Sequence, residues 1–276
     1  MIEAETPGER WNTGRGQVWA DMGDVVDRLF APLERVLVDE VAAEPAHHVL
    51  DIGCGTGATT VAIARRLGAD GRAVGLDISE AMIAVSRDRA TRDGVDVDFV
   101  LADAQNHDFG PAKFDTLVSR FGVMFFDDSV AAFSNLRAGS TSGARLRLLV
   151  WRGLEDNPMH STASAAGSTV VPLTPRAAGA AGAFRFADES LIRPALEGGG
   201  WRDLRLRSVD VECRATRPDL LTFVTRVGPL GDAYPGLDVS TRTEVMDALV
   251  EGYEPFRAGE EYRIPLASWM VCAEAP

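Results

Sequence analysis

The chain has 276 residues, is 46% hydrophobic and carries a formal net charge of −13. That apolar content excludes a disordered chain, and the acidic field repels polyanions, so no nucleic acid and no membrane is expected as a partner. Three cysteines, Cys54, Cys213 and Cys272, are odd in number and outside any CxxC spacing, which argues against a disulfide framework or a zinc site and fits a reducing cytoplasm.

The opening MIEAETPGER lacks the basic and apolar regions of a signal peptide, and no run reaches membrane-spanning length, which predicts a soluble, cytoplasmic protein. Residues 15 to 43 read as one or two amphipathic helices broken near Pro32. From His48 to Trp151 short β-rich runs (HVLDI, RAVGLDI, VDVDFVLAD, FDTLVSR and ARLRLLVW) alternate with helical patterns, the signature of a parallel sheet covered on both faces. In the first crossover Val61, Ala64 and Leu67 share a helical face. In the second, Ser79 can cap a helix that turns Met82, Val85 and Ala90 inward. Residues 152 to 183, rich in small residues and proline, predict a partly irregular insertion. ADESLIRPALEGGGW then reads as a helix stopped by its glycines, RDLRLRSVDVEC as a strand, 217 to 256 as mainly helical, and EYRIPLASWMVCAE as a last strand.

The chemistry concentrates at the ends of the first three strands. Asp51, Asp77 and Asp103 recur every 26 residues, each at or near a strand end, and in a parallel sheet those ends share the edge where open α/β sheets bind ligands. Gly53, Gly55 and Ala58 formally satisfy the G-x-G-x-x-A dinucleotide turn, so a nicotinamide-dependent oxidoreductase is one reading. A pyrophosphate there would face Asp51, and like charges a few ångströms apart cost on the order of a few kcal/mol. A ligand with an ammonium, a sulfonium, a ribose and an adenine reverses the sign: Asp51 supports the cationic end, Asp77 accepts from the ribose hydroxyls and Asp103 from the adenine amino group. That ligand is S-adenosylmethionine.

VLDIGCGTG, VGLDIS, LADAQ and SRFGVMFF resemble class I S-adenosylmethionine-dependent methyltransferases, in particular the small-molecule branch that includes ubiquinone and menaquinone C-methyltransferase-like proteins. The similarity is clear over residues 11 to 151 and looser beyond. It implies an α/β, Rossmann-like seven-stranded sheet, mostly parallel with an antiparallel last strand, helices on both faces and a substrate-covering insertion. The expected organisation is an N-terminal helical lid (1–43), a cofactor-binding core (44–151), an insertion capping the substrate (152–200) and a C-terminal part completing the sheet (201–276). The resemblance assigns Asp51, Gly53, Cys54, Gly55 and Gly57 to the methionine end, Asp77 to the ribose, Asp103 with Ala104 to the adenine, and Ile78 with Met82 to packing on the purine. Ser119 and Arg120 would lie near the methyl group. Where relatives usually carry RPGGRL before the fifth strand, this chain has GSTSGARL, a departure in the turn remote from the cofactor edge.

Trp11, Gln17 and Trp19 precede the core on a segment that relatives fold over the cofactor, with Trp19 nearest to it. Trp11, Gln17, Phe121, Met124, Phe125 and Trp151 are the expected acceptor-pocket residues. Transfer of a methyl group from a sulfonium needs positioning more than a covalent intermediate, and a base only when the acceptor must lose a proton. His160, His107 and Arg120 are the candidates for that chemistry, whereas His47 and His48 precede the first strand, on the far edge. DNPM, 156 to 159, faintly resembles the Asn-Pro-Pro-Tyr tetrapeptide of amino-methylating nucleic-acid enzymes but lacks its second proline and aromatic. The expected activity is methyl transfer to carbon, oxygen or nitrogen of a small molecule, in secondary metabolism or quinone-like biosynthesis, by a monomer or homodimer. S-adenosylhomocysteine is the expected product, and no metal site is expected beyond a weakly held magnesium. The alternatives are an NAD-dependent oxidoreductase and a non-catalytic S-adenosylmethionine-binding protein.

Overall fold

Apolar runs buried on both faces pair in parallel when a helix returns the chain between them, and the first half does this. The computed structural model describes residues 7–174 and 179–276. After a helical turn α1 (Pro7–Arg10) and a kinked turn over Trp11–Arg15 come α2 (Gly16–Asp21) and α3 (Gly23–Ala42). Then follow β1 (His48–Ile52), α4 (Ala58–Ala64), β2 (Arg72–Asp77), α5 (Glu80–Asp93), β3 (Asp98–Leu101), β4 (Phe114–Arg120), α6 (Ser129–Ala138) and β5 (Ser140–Trp151). The second half runs α7 (Pro158–Ser168), α8 (Glu189–Gly198), β6 (Arg202–Thr216), α9 (Arg217–Val224), α10 (Gly228–Ala233), α11 (Val239–Tyr253), β7 (Arg257–Ala258) and β8 (Glu261–Glu274). The sheet order is β3-β2-β1-β4-β5-β8-β6, with the two-residue β7 as an eighth strand paired to β8. Strands β1 to β5 are parallel, and β8, the last, lies antiparallel between β5 and β6. Among the described residues no helix is long and apolar enough to cross a membrane.

Local signals explain most boundaries. Ser79 caps α5, its Oγ accepting from the Met82 N–H, and Gly94 closes the same helix in the left-handed conformation. Asp188 caps α8, which stops within the glycine run. Three expectations need correction. Pro32 does not break the helix: α3 runs through it, and the interruption falls at Met22. Leu29, Phe30, Leu33 and Leu37 form a buried stripe on both sides of Pro32. Burying side chains of that size is worth about 1.5–3 kcal/mol each, which outweighs the roughly 3 kcal/mol cost of a mid-helix proline. Helix α3 therefore packs into the hydrophobic core through this stripe. GSTSGARL is not a turn either, because β5 already begins at Ser140 and shifts register between the Phe114 and Thr116 pairs, with Gly143 at φ +74°.

The third correction concerns the insertion, which contains the 11-residue helix α7. Its buried face is Met159, Ala163, Ala166 and Gly167, residues too small to raise a periodic hydrophobic signal. Tyr253 of α11 donates from its hydroxyl to the Met159 carbonyl at 2.6 Å. Residues 175–178 of the insertion and 1–6 of the N-terminal segment lie outside the described residues. In the first crossover only Val61 of the expected face is fully buried; α4 ends at Ala64, and Leu67 is half-buried beyond it.

Candidate functional site

The carboxyl ends of β1, β2, β3, β4 and β5 open into one cavity with about 1360 Å³ of space free of protein atoms, its mouth included. Its walls divide by chemistry. One half carries Asp51, Gly53, Cys54, Gly55, Asp77, Ile78, Met82, Asp103 and Ala104. The other is aromatic, with Phe30, Phe121, Trp151, His160 and Phe223, and Trp11, Trp19 and Phe125 also line the space.

In the polar half each carboxylate has a different environment. Asp51 is buried, and Thr60 Oγ1 donates to its Oδ2 at 2.7 Å. Loss of hydration pushes its pKa up to about 6; the Thr60 bond and the Arg120 guanidinium oppose the shift, and Asp77 and Glu34 add to it. Asp77 accepts the Gly55 N–H at Oδ2 and the Ser79 N–H at Oδ1, both at 2.9 Å, while burial raises its pKa against those bonds. Asp103 forms a local turn, accepting from the Gln105 N–H at 2.9 Å and the Asn106 amide at 2.8 Å. Gly55 takes φ +56°, and a Cβ there would meet only Met82 Sδ at 3.6 Å, so the loop is open to an approaching ligand.

Gly53 does something else. A Cβ on it would lie 2.7 Å from Gly122 Cα, and one on Gly122 would lie 2.5 Å from the Ile52 oxygen. The loops after β1 and β4 thus touch backbone to backbone, stapled by Ser119 Oγ, which donates to the Ile52 carbonyl at 2.7 Å and accepts the Gly122 N–H at 3.1 Å. Backbone cannot yield as a side chain can, so Gly122→Ala is expected to cost about 1–3 kcal/mol of stability by overpacking. Urea unfolding checks this, and a variant as stable as the parent would show that the two loops separate freely.

Arg120 stands behind Asp51 within an ionic cluster. Its guanidinium lies 3.9 Å from Asp27 Oδ1 and 4.0 Å from Glu34 Oε2, both on α3, and Nη1 makes no hydrogen bond. Arg89 of α5 pairs with the same Asp27 and donates to the Thr56 carbonyl at 2.8 Å, tying α3 to the glycine loop. Burial holds the Glu34 carboxyl above its ordinary range. Two other polar atoms of the wall lack partners: Thr59 Oγ1 and His160 Nε2. Rings of Trp151 (5.4 Å), Phe184 (5.4 Å) and Phe223 (5.8 Å) pack around His160, and loss of hydration lowers its pKa to about 4.

Several sequence candidates fall outside the cavity wall. Gln17 is exposed and donates to Asp21 at 2.7 Å. Gly57 begins α4 at φ +81°, where a Cβ would strike Phe99 and Ser86 at 2.8 Å, so it serves packing. Ser119 is the staple beneath the floor. His107 packs edge-on against Phe109 at 4.9 Å, behind the site. Cys54 lines the wall, but its side chain belongs to a buried cluster with Val61, Ile83 and Phe99, and burial raises the thiol pKa well above its ordinary value, which opposes a nucleophilic role. Asn157 of DNPM is fully buried, accepting the Ala267 N–H and donating to its carbonyl, a structural bridge. Sequence reasoning missed Gly122, Thr59, Phe30 and Phe223. The buried stripe of α3 could have supplied Phe30; no spacing signals the others.

The residues fit a cationic nucleoside better than a phosphate. Four carboxylates line the space, Asp51, Asp77, Asp103 and Asp127, its arginine already lies beside Asp27 and Glu34, and the single lysine, Lys113, sits just before β4 at the opposite edge. Residues 49–141 match the family described as "Methyltransferase domain". The aklanonic acid methyltransferase DauC of Streptomyces sp. (strain C5) is 32% identical over 135 residues, 47% of this chain and 61% of that protein, so the match spans less than two thirds of the relative. Nocamycin O-methyltransferase of Saccharothrix syringae is 29% identical over 240 residues, 83% of this chain and 86% of its own. A phosphoethanolamine N-methyltransferase 2 structure from Haemonchus contortus, in complex with phosphomonomethylethanolamine and S-adenosylhomocysteine, superposes with TM-score 0.60 at 14% identity, covering 100% of this chain and 61% of that one, a likeness of fold. Residues 49–141 thus match a methyltransferase domain, and in motif, sheet order and relatives the chain is similar to class I S-adenosylmethionine-dependent methyltransferases.

Proposed function

We propose that this protein transfers a methyl group from S-adenosylmethionine to a small-molecule acceptor held in the aromatic half of the cavity, in secondary metabolism or quinone-like biosynthesis. The observation that carries the reading is the meeting of three carboxylates and an open glycine loop with a separate aromatic compartment. When bound, the cofactor supplies a sulfonium methyl open to in-line displacement by an acceptor nucleophile. Asp51 holds the cationic amino-acid end, with Gly53, Cys54 and Gly55 giving backbone approach. Asp77 accepts from the ribose hydroxyls, Asp103 and Ala104 serve the adenine, and Ile78 and Met82 pack on its faces. Trp11, Trp19 and Phe125 exclude water from the space they line, and Trp11 meets Phe125 edge-on at 5.2 Å. His160 receives the proton of an acceptor hydroxyl at the Nε2 that lacks a partner. Its low pKa keeps it neutral at pH 7, and the oxygen it serves becomes strongly acidic as the new bond forms.

Calorimetric titration with S-adenosylmethionine, S-adenosylhomocysteine and NAD tests the proposal. Binding of both sulfur ligands is expected, and binding of NAD alone would overturn it in favour of an oxidoreductase. Binding without methyl transfer to any acceptor in a broad screen would favour a non-catalytic binding protein. The pH dependence is a sharper check. Because the Asp51 pKa lies at about 6 in the free protein, a cationic ligand must bind its ionised form. Affinity should be full above pH 7 and weaken by about tenfold per unit once Asp51 is protonated. Asp51→Asn should bind weakly and without that slope. A flat profile in the wild type would detach Asp51 from the ligand.

A further inference from the structure

A bulky residue with positive φ is a conformational outlier that persists only when its surroundings hold it there, and such residues gather at functional sites. Phe121, the first residue after β4, takes φ +70° and ψ −1°. Asp203, at the surface start of β6, is the other non-glycine residue with positive φ among those described. Aspartate visits that region far more readily than phenylalanine. Glycine would meet the backbone demand at position 121 without strain, so the side chain itself is what the strained backbone retains.

The ring is held with unusual definition. It stacks on Trp151 at 4.0 Å between centroids and 8° between planes, while Phe30 meets both rings edge-on, at 5.9 Å and 5.4 Å. The Phe121 N–H donates to the Leu149 carbonyl at 2.9 Å, and the next residue is Gly122, clamped against Gly53 of the glycine loop. Both rings line the cavity, and of the two Phe121 is the more exposed, half-buried where Trp151 is buried. Further along the same wall, Trp151 contacts His160 edge-on at 5.4 Å. The sequence from cofactor loop to base is therefore Gly53, Gly122, Phe121, Trp151, His160, with a flat apolar surface in the middle.

We infer that Phe121 is a specificity-determining residue whose ring, fixed by its left-handed backbone and the Trp151 stack, selects a flat conjugated acceptor bearing a hydroxyl directed at His160. The inference deepens the methyltransferase reading and rests on it for the word acceptor. A saturated ring of equal size is puckered; it can fill the same volume but cannot lie against Phe121 over a whole face. Preorganisation by the stack means that no side-chain freedom is lost when such a ligand docks.

The test compares 2-naphthol with decahydro-2-naphthol, a pair alike in size and hydroxyl position but opposite in flatness. Binding is measured calorimetrically with and without saturating S-adenosylhomocysteine. The wild type should prefer 2-naphthol by about tenfold, the scale of one aromatic pairing. Phe121→Leu, which keeps apolar bulk and loses the flat face, should show little preference, and Phe121→Tyr should retain it. Affinity for S-adenosylhomocysteine should stay the same in all three, a result that general loosening of the loop would not give. Equal binding of the two probes by the wild type, binding of neither at millimolar concentration, or an unchanged preference in Phe121→Leu would each overturn the inference. Should Phe121→Leu fail to fold, the wild-type pair still decides. Failure of the wild type to bind S-adenosylhomocysteine would instead remove the methyltransferase reading, leaving the naphthol comparison to report on the flat surface alone.

Discussion

Replacing Asp77 with alanine is expected to weaken S-adenosylhomocysteine binding at least a hundredfold. Hydrogen bonds to a charged group are worth about 1.5–3 kcal/mol each, a ribose diol offers two, and about 1.4 kcal/mol is a factor of ten in affinity. The same carboxylate also receives the Gly55 and Ser79 N–H groups, so alanine leaves two backbone donors without their partner. Part of the loss would then come from a relaxed loop. Asp77→Asn separates the two contributions, because its amide keeps an oxygen for one backbone donor and removes the charge. If asparagine binds nearly as poorly as alanine while both variants melt near the parent temperature, charge at the ribose dominates. Parental affinity in either folded variant would show that the nucleoside lies elsewhere.

The second large effect is expected at His160. His160→Ala should lower turnover by about 10²–10⁴-fold, the range for a positioned general base, while affinity for S-adenosylhomocysteine stays within a few-fold of the parent. Turnover is read as S-adenosylhomocysteine released from an excess of hydroxylated acceptor. The pH behaviour carries a sign. With its pKa lowered to about 4 in the folded protein, His160 is neutral at pH 7, so the His160 limb of the rate profile falls only as pH drops toward 4. The same shift bears on stability: a histidine buried in its neutral form contributes fully above its unfolded value near 6.5, and the contribution is lost progressively as pH falls from there toward about 4. His160→Gln, which cannot take the charge, should flatten that part of the stability curve. A variant with unimpaired turnover would exclude proton transfer at this residue.

The polar half of the site was far more legible in the sequence than the aromatic half, and the reason is geometric. Asp51, Asp77 and Asp103 each fall within two residues of the end of one of three successive strands, so strand periodicity and connection length alone bring them to one edge. All three line the cavity. The aromatic half has no such rule. Phe30, Trp151, His160 and Phe223 come from α3, β5, α7 and α9, and only tertiary packing sets one against another. Helix α7 escaped notice because alanine and glycine make its buried face, and the length of α3 because a proline signal was outweighed by the apolar stripe beneath it. The clamp between Gly53 and Gly122 lies between these cases: the glycines are visible in the sequence, but their contact depends on how closely β1 and β4 pair. Gln17 and His107 were chosen for chemical type and nearness to motifs, and neither consideration determines which way a side chain points.

Strand β5 divides the cavity along the chain. Every polar contact ascribed to the cofactor comes from residues before it, whereas His160, Ala183, Phe223 and Val227 all come from residues after it, and the family match ends at residue 141, inside this strand. The polar contacts proposed for the cofactor are therefore written on one length of polypeptide, whereas the aromatic compartment is shared by the lengths on both sides, since Phe30 and Phe121 precede the strand and His160 and Phe223 follow it. Exchange of everything beyond the junction would replace only the His160 and Phe223 side of that compartment and leave Phe121 and the polar half in place. Such an arrangement lets chemistry be inherited while selectivity diverges.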